Sequence, residues 1–136
     1  DWNGFHIVVA HGARVVVAVG DGVRVAITEP TERVLVVSER SYGADPVSRD
    51  ARVVAALAPL ASERSPPSPD ELLDVLAGHA PGFDGPCIHA PAIGYGTRSS
   101  FAAIWGAERR SLVTTEGPPC SAGRVDASSL LAAIPG

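Results

Sequence analysis

The segment Arg14-Val15-Val16-Val17-Ala18-Val19 is followed by Gly20-Asp21-Gly22 and then by Val23-Arg24-Val25-Ala26-Ile27-Thr28. Both outer runs are rich in β-branched residues, which pack well on the pleated surface of a strand. A short turn of glycine and aspartate between two such runs is a strong β-hairpin signal. The sequence therefore predicts an antiparallel hairpin here, and a helix over residues 14–19 would contradict the predicted fold.

Similar apolar runs lie on both sides of this hairpin. Residues 6–10 form a short apolar run that ends at the turn signal His11-Gly12, and residues 33–37 form another after a turn at Pro30. Because short apolar runs bounded by turn residues are typical of strands, we expect a strand in each. At the end of the last run, Glu39 and Arg40 face either a cleft or solvent.

A first helix is expected over the residues that follow. Asp45 is placed to cap it, and Pro46 suits its first turn. Proline inside a helix removes a hydrogen bond and clashes with the preceding turn, so Pro59 should stop or kink it. Its buried stripe is expected to consist of Val47, Ala51, Val54, Leu57 and Ala58.

A second helix has a complete start signal. Ser68 is the predicted cap, Pro69 occupies the first helical position, and Glu71 stands three residues after the cap. Gly78 is well placed to end the helix. Its buried face is expected to consist of Leu72, Leu73, Val75 and Leu76.

The last third of the chain returns to strands. Residues 79–96 are loop-like, residues 101–105 and 111–115 are expected to pair as strands, and a short helix is expected from Asp126. That helix would carry Leu130, Leu131 and Ile134. The order strands, helices, strands indicates an α+β fold, with an antiparallel sheet covered by helices on one face. We expect one sheet to contain both the hairpin and a strand over residues 97–105.

Composition limits the classes of protein that fit. A chain of 136 residues with 46% hydrophobic content can form one core, so a single domain over residues 1–136 is expected. Several strands are apolar on both faces, which predicts that an upstream segment or a partner chain covers the sheet. Net charge is −4 and Arg109-Arg110 is the one basic doublet, which disfavours nucleic-acid binding. No apolar run approaches the roughly 20 residues of a membrane span, and a cytoplasmic location is expected.

The most informative polar group is Arg98, which follows Gly94-Tyr95-Gly96-Thr97 where the chain enters a predicted strand. A guanidinium at such a place suits a carboxylate or an oxyanion of a small-molecule ligand. The predicted ligand-binding group consists of Arg98, Thr97, Ser99 and Tyr95. The alternative is a structural arginine tied to loop carbonyls.

Cys87-Ile88-His89 suggests a metal site that Cys120 or His79 would complete. Structural zinc sites usually pair their ligands at short, repeated spacing, and one such pair occurs here. The expectation from the sequence is therefore two reduced thiols, no metal and no cofactor. A cysteine–histidine nucleophile pair is not expected either, because an extended loop does not fix its geometry, and no catalytic residue is assigned.

Several segments together resemble a known family. The string Gly94-Tyr95-Gly96-Thr97-Arg98-Ser99-Ser100, followed by a strand and Glu116-Gly117-Pro118-Pro119-Cys120, resembles the C-terminal part of the NRDE proteins, also called the Transport and Golgi organisation 2 family. Residues 3–10 resemble the family's mid-chain Asn-x-Phe strand, and residues 36–43 resemble the segment after it. The resemblance covers nearly the whole chain in the right order, and Tyr-Gly-Thr-Arg-Ser-Ser is its most specific element.

The resemblance implies the αββα layering of N-terminal-nucleophile hydrolases. The family's initial Met-Cys and its Asn-Arg-Asp-Glu motif do not occur in this sequence, so the chain resembles the C-terminal portion of a larger αββα domain. The family's arginine falls on Arg98, and its candidate nucleophile falls on no residue here.

Three functions are expected from the residues and the resemblance. The first is NRDE-type handling of a ligand, haem or a lipid-related metabolite, without catalysis by this chain alone. Its candidate axial ligands are His79, His89, Cys87 and Cys120. The second is the C-terminal half of an amide-bond hydrolase whose N-terminal nucleophile lies outside this chain, since Asp1 cannot serve. The third is an interaction module without a ligand.

Overall fold

The structure is a computed structural model that describes residues 3–38, 47–63, 65–106 and 109–133. Its described part is α+β, with three small antiparallel sheets and two α-helices. The chain forms two compact units, Asp1–Pro46 and Val47–Gly136, which are described in turn. The expected single domain stays a prediction.

The first unit contains a three-stranded sheet in the order β1 (Phe5–His11), β2 (Arg14–Gly20), β3 (Val25–Thr28). The hairpin between β2 and β3 is confirmed. Its turn is closed by Asp21, whose backbone amide donates to the Arg24 carbonyl over 3.2 Å. The Asp21 carboxylate accepts from the amides of Val23 and Arg24 at 2.8 Å each. Strand β3 starts two residues later than predicted because Val23 and Arg24 belong to this turn.

The sheet of the first unit is apolar on both faces. The register pairs Ile7 with Ala18 and Ala18 with Ile27, which places these three side chains on one face. On that face Ile7 is 51% exposed and Ile27 is 72% exposed, whereas Val17 on the opposite face is completely buried. The segment or partner chain expected to cover such a face stays a prediction.

The strand predicted over residues 33–37 is wrong. These residues carry no strand, although several are half-buried. Among the described residues β3 pairs with β2 alone, so no neighbouring ladder offers this apolar run its hydrogen bonds. The predicted roles of Glu39, Arg40, Asp45 and Pro46 fall outside the described residues.

The second unit begins with α1 (Ser48–Ser62), whose N-cap Val47 provides no side-chain hydrogen bond. Of the stop or kink predicted at Pro59, the stop is wrong, because the helix continues to Ser62, and the kink stays a prediction. Proline here removes a single hydrogen bond in the last turn, and the helix still ends within one turn of it. The predicted stripe is right in part: Val47 and Leu57 are partly covered, whereas Ala51, Val54 and Ala58 are exposed. The other partly covered positions include Val53 and Leu60.

The second helix, α2 (Pro69–Leu76), has the predicted capping box. The Ser68 hydroxyl accepts from the Glu71 amide at 3.2 Å, and the Glu71 carboxylate accepts from the Ser68 amide at 2.7 Å. The Ser68 amide and, at 2.7 Å, the Ser68 hydroxyl both donate to the Glu71 carboxylate, which holds the pKa of Glu71 below its usual value. Leu73 is completely buried, and α2 ends two residues before Gly78.

After α2, two short strands, β4 (His89–Ala90) and β5 (Tyr95–Gly96), pair antiparallel. The third sheet has the order β6 (Ser100–Trp105), β7 (Arg110–Thr115), β8 (Arg124–Asp126), and α2 packs against β6 and β7. This confirms the predicted strand pair. The prediction of one sheet joining the hairpin to residues 97–105 is wrong, because each sheet in the described part forms between strands close in sequence, where loop closure costs least entropy.

The end of the chain differs from its prediction. Residues Ser128–Ala133 form a 3-10 helix rather than an α-helix, since Asp126 lies in β8 and its carboxylate accepts from the Ser128 amide and hydroxyl at 2.8 and 2.5 Å. Leu131 is buried as expected, Leu130 is 67% exposed, and Ile134 lies outside the described residues. Within the described ranges, neither α-helix has the length and apolar character needed to cross a membrane.

Candidate metal centre

Four side chains with metal-binding atoms meet in the second unit. His79 follows α2, Cys87 lies in the next loop, His89 opens β4, and Cys120 lies in the turn after β7. One ligand atom from each lies within 4.8 Å of all the others. The fold therefore brings together two thiols and two imidazoles from two regions of the chain, residues 79–89 and the turn that carries Cys120.

Local hydrogen bonds place these segments. The Cys87 amide donates to the Gly78 carbonyl at 3.1 Å, which brings Cys87 beside the residue that precedes His79. His89 is fixed by its strand pairing with Gly96. The turn that carries Cys120 is closed by the Ala122 amide, which donates to the Pro118 carbonyl at 2.9 Å.

Three of the four ligand atoms form a compact triangle. Sγ of Cys87 lies 3.4 Å from Nε2 of His89 and 3.5 Å from Sγ of Cys120, and the His89 Nε2 to Cys120 Sγ distance is 3.2 Å. Around a tetrahedral zinc ion, with Zn–S near 2.3 Å and Zn–N near 2.0 Å, such atoms are separated by about 3.5–3.8 Å. The triangle is thus within a few tenths of an ångström of the edges of a zinc tetrahedron.

The fourth side chain, His79, contacts the triangle through His89. The two imidazole rings meet edge to face, with centroids 5.1 Å apart and an interplanar angle of 75°. His79 completes a set of two sulfur and two nitrogen donors, the composition of many closed structural zinc sites.

The thiols are free, and their surroundings differ. Cys87 is 3% exposed, whereas Cys120 is exposed. Burial raises the pKa of the Cys87 thiol, and its hydrogen bond with Cys120 raises it further. A buried thiol without a nearby cation is therefore held protonated and unreactive, and a bound metal ion reverses this preference because it binds the thiolate.

The predicted ligand-binding residues lie next to this centre. Tyr95, Thr97 and Arg98 line one cavity of about 260 Å³, which His89 and Pro118 also line. Ser99 is exposed and does not line it. The structure thus brings three of the four predicted residues to one cavity. His89, a candidate metal ligand, also lines that cavity.

The four predicted residues do different things in the structure. The Thr97 hydroxyl accepts from the Ile88 amide at 3.0 Å and the Thr97 amide donates to the Ile88 carbonyl at 2.9 Å, so Thr97 fixes the loop that carries Cys87. Tyr95 packs edge-on against Phe83 with ring centroids 5.7 Å apart. Arg98 is exposed and makes no hydrogen bond or ion pair with the described residues. Within the described ranges, therefore, no loop carbonyl accepts a hydrogen bond from the Arg98 guanidinium.

Sequence reasoning named all four candidate ligands but did not assemble them. The single short spacing is Cys87-x-His89, and Cys120 follows His89 by 31 residues. Their meeting depends on the turn after β7 lying beside the loop after α2, which no local spacing encodes. The signal that was present is the concentration of both cysteines and two histidines in the second unit.

Among known proteins, no protein-family model, no curated protein and no solved structure matches the chain.

Proposed function

We propose that this chain binds one zinc ion through His79, Cys87, His89 and Cys120, and that the ion is structural. The observation that carries the proposal is the mutual approach of four nitrogen and sulfur donors to within 4.8 Å, three of them within 3.5 Å. This proposal replaces the sequence-based expectation of two free thiols without metal.

The chemistry of the donors favours zinc among common divalent ions. Magnesium and calcium take oxygen ligands, whereas thiolate and imidazole in a tetrahedral array are typical of zinc. Two thiolates also neutralise the charge of the ion, which suits a site where one ligand, Cys87, is buried. Four protein ligands leave no open position, so the ion has a structural rather than a catalytic role.

The ion would hold together a part of the fold that has little regular structure. The loop after α2 contains one sheet of two short strands, and the described apolar core of the second unit is small. That core includes Leu73, Cys87, Ile88, Ala102 and Leu131. Because the four ligands meet only in the folded chain, the free energy of metal binding contributes to the stability of this region.

Cobalt substitution tests this proposal directly. Titration of the reduced, metal-free protein with Co²⁺ should give the intense visible bands of a tetrahedral ion and a near-ultraviolet band from thiolate ligands. Cys87→Ser should weaken Co²⁺ binding and reduce the thiolate band, because Cys120 is then the one thiolate ligand of the four, and the matched control Ser121→Ala, in the same turn as Cys120, should leave affinity and bands unchanged. A weak octahedral spectrum in the parent protein would contradict the proposal.

The zinc affinity of a His79 variant distinguishes a site with four protein ligands from a site with three protein ligands and a water molecule. If His79 is the fourth ligand, His79→Ala should weaken zinc binding while Cys87, His89 and Cys120 still hold the ion. If a water molecule occupies the fourth position instead, His79→Ala should leave zinc affinity unchanged. That second result would replace the structural role with a site that has one exchangeable position.

Haem handling, implied by the NRDE resemblance, is the second candidate function, and the clustering of its four candidate axial ligands at one place supports it. Zinc and haem would compete for the same nitrogen and sulfur atoms. A haem titration should therefore be run with and without zinc. A Soret shift that appears only in zinc-free protein would favour haem, and no shift in either form would exclude it.

The amide-hydrolase hypothesis and the αββα layering also come from the resemblance. The alternative of an interaction module has a different basis, the exposed apolar face of the first unit's sheet. The antiparallel sheets and α-helices of the described part support an α+β fold in general, and the αββα layering stays a proposal. A nucleophile for such a hydrolase would have to come from outside residues 1–136.

A further inference from the structure

We propose that the cavity beside the metal centre binds the carboxylate of a small, largely apolar organic acid, with Arg98 as its charged partner. The part of this inference that involves His89 rests on the proposed metal site, and the part that involves Arg98 does not.

The shape and lining of the cavity set the size and character of the ligand. The cavity has a volume of about 260 Å³. Pockets for drug-sized ligands start at roughly 300 Å³, so the ligand of this cavity should be somewhat smaller than a drug molecule. Much of the wall is apolar, from Ile88, Ala90, Pro91 and Pro118. A ligand that fits this wall has a short apolar body and one polar end.

The charge in the cavity sets the chemistry of that polar end. Among the residues that the structure describes, no aspartate or glutamate lines the cavity, and Arg98 is the one lining residue with a permanent charge. The Arg98 guanidinium makes no ion pair or hydrogen bond with the described residues, although the chain as a whole carries a net charge of −4. A fork of five N–H donors that bonds to none of the described residues matches the two oxygens of a carboxylate.

The backbone holds His89 and Arg98 on neighbouring segments. His89 pairs with Gly96, and the Thr97 amide donates to the Ile88 carbonyl at 2.9 Å, so Arg98 follows directly after this ladder. A β-carbon on Gly96 would lie 3.0 Å from the Ile88 carbonyl oxygen, which explains why glycine occupies this position. The two cavity-lining side chains thus extend from one paired unit.

Metal binding would give the cavity a second donor. The ring nitrogen of His89 that meets both sulfurs is Nε2. When Nε2 binds the metal, the proton of the neutral ring must be on Nδ1, which then acts only as a donor. Since His89 also lines the cavity, metal binding would fix its ring in the tautomer that can donate to an anion held by Arg98, whereas the metal-free ring can take either tautomer.

Calorimetry or ligand-observed NMR with benzoate, its neutral analogue benzamide and inorganic phosphate tests this inference on the full chain. Zinc-loaded protein should bind benzoate at least about tenfold more tightly than benzamide, because a charge-assisted hydrogen bond is worth at least that factor. Arg98→Ala should lose this preference, and Arg98→Lys should weaken benzoate binding because the ammonium keeps the charge and loses the fork. The control Arg24→Ala removes an exposed arginine of the first unit and should change nothing.

The outcomes separate this inference from the metal site. Equal binding of benzoate and benzamide, or unchanged benzoate binding by Arg98→Ala, overturns the carboxylate site even when zinc is bound one to one. Tighter binding of phosphate than of benzoate overturns the assignment of ligand class. If the protein binds no zinc, the role of His89 is overturned, and the comparison of Arg98→Ala with Arg24→Ala still decides the role of Arg98. Removal of zinc should weaken benzoate binding, and an unchanged affinity would overturn the donor role of His89.

Discussion

The sheet of the first unit and the loop region of the second unit differ in how their backbones are held in place. In the first, β1, β2 and β3 form a continuous antiparallel ladder, and their turn is closed by hydrogen bonds to Asp21. In the second, residues 78–97 contain four strand residues, yet they gather three of the four candidate metal ligands. The strands of the first unit are held mainly by their own ladder of backbone hydrogen bonds. The loop region has little such pairing, and we propose that the zinc ion cross-links it.

The largest effect should come from losing a buried metal ligand. Cys87→Ser should weaken zinc binding by about a hundredfold or more, because the binding free energy of roughly 10–16 kcal/mol in structural sites is shared among four ligands. Competition with a coloured chelator measures this change. Amide hydrogen exchange should then increase in residues 78–97 and stay unchanged in β1 and β2. Equal loss of protection in both regions would contradict the contrast between them.

Lowering the pH should have opposite effects on zinc affinity and on the stability of the metal-free protein. Because the pKa of the Cys87 thiol is raised by burial, zinc must displace a proton from it at neutral pH. This residue alone should therefore lower zinc affinity about a hundredfold between pH 8 and pH 6. The metal-free protein should show the opposite trend: its neutral Cys87 thiol contributes stability that is lost as pH rises through its raised pKa. Zinc affinity independent of pH over this range would argue against thiolate ligation.

Packing, by contrast, should dominate the first unit. Val17→Ala removes two methyl groups from a completely buried position and should destabilise this unit by about 2 kcal/mol, with or without zinc. Ile27→Ala is the matched control on the opposite face, where the side chain is 72% exposed, and its effect should be within about 0.5 kcal/mol. Thermal unfolding followed by circular dichroism compares the two. A similar loss for both variants would mean that the exposed face is covered in solution.

The smallest predicted effect concerns the cap of α2. Ser68→Ala should cost about 1 kcal/mol, since the Glu71 amide loses its acceptor. Zinc affinity should change little, because the first candidate ligand, His79, lies beyond the other end of the helix. An unchanged melting temperature would show that the capping box contributes nothing measurable.

The parts of the fold that followed from the sequence are those with local causes. The turn at Asp21, the start of α2 at Ser68 and the pairing of β6 with β7 depend on residues close in sequence, and all three are confirmed. The strand predicted over residues 33–37 is wrong because a strand needs a neighbouring strand to hydrogen-bond, and no described strand pairs with this run. The predicted helix stop at Pro59 is wrong because the cost of a proline depends on how much helix follows it.

The candidate site shows the same limit. Arg98, Thr97 and Tyr95 were predicted as a group because they are contiguous, and they do share a cavity. Thr97 also hydrogen-bonds to Ile88 and so fixes the loop beside the cavity, and its role toward a ligand stays a prediction. Cys120 and His79 join Cys87 and His89 through contacts between distant segments, which spacing rules for zinc sites do not detect.

X-ray absorption at the zinc edge on the loaded, reduced protein tests the central claim most directly. The account predicts one zinc per chain, with two sulfur neighbours near 2.3 Å and two nitrogen neighbours near 2.0 Å. One sulfur neighbour should disappear in Cys87→Ser if that variant is loaded at high zinc. A shell of nitrogen and oxygen without sulfur, or six light neighbours, would contradict the metal centre.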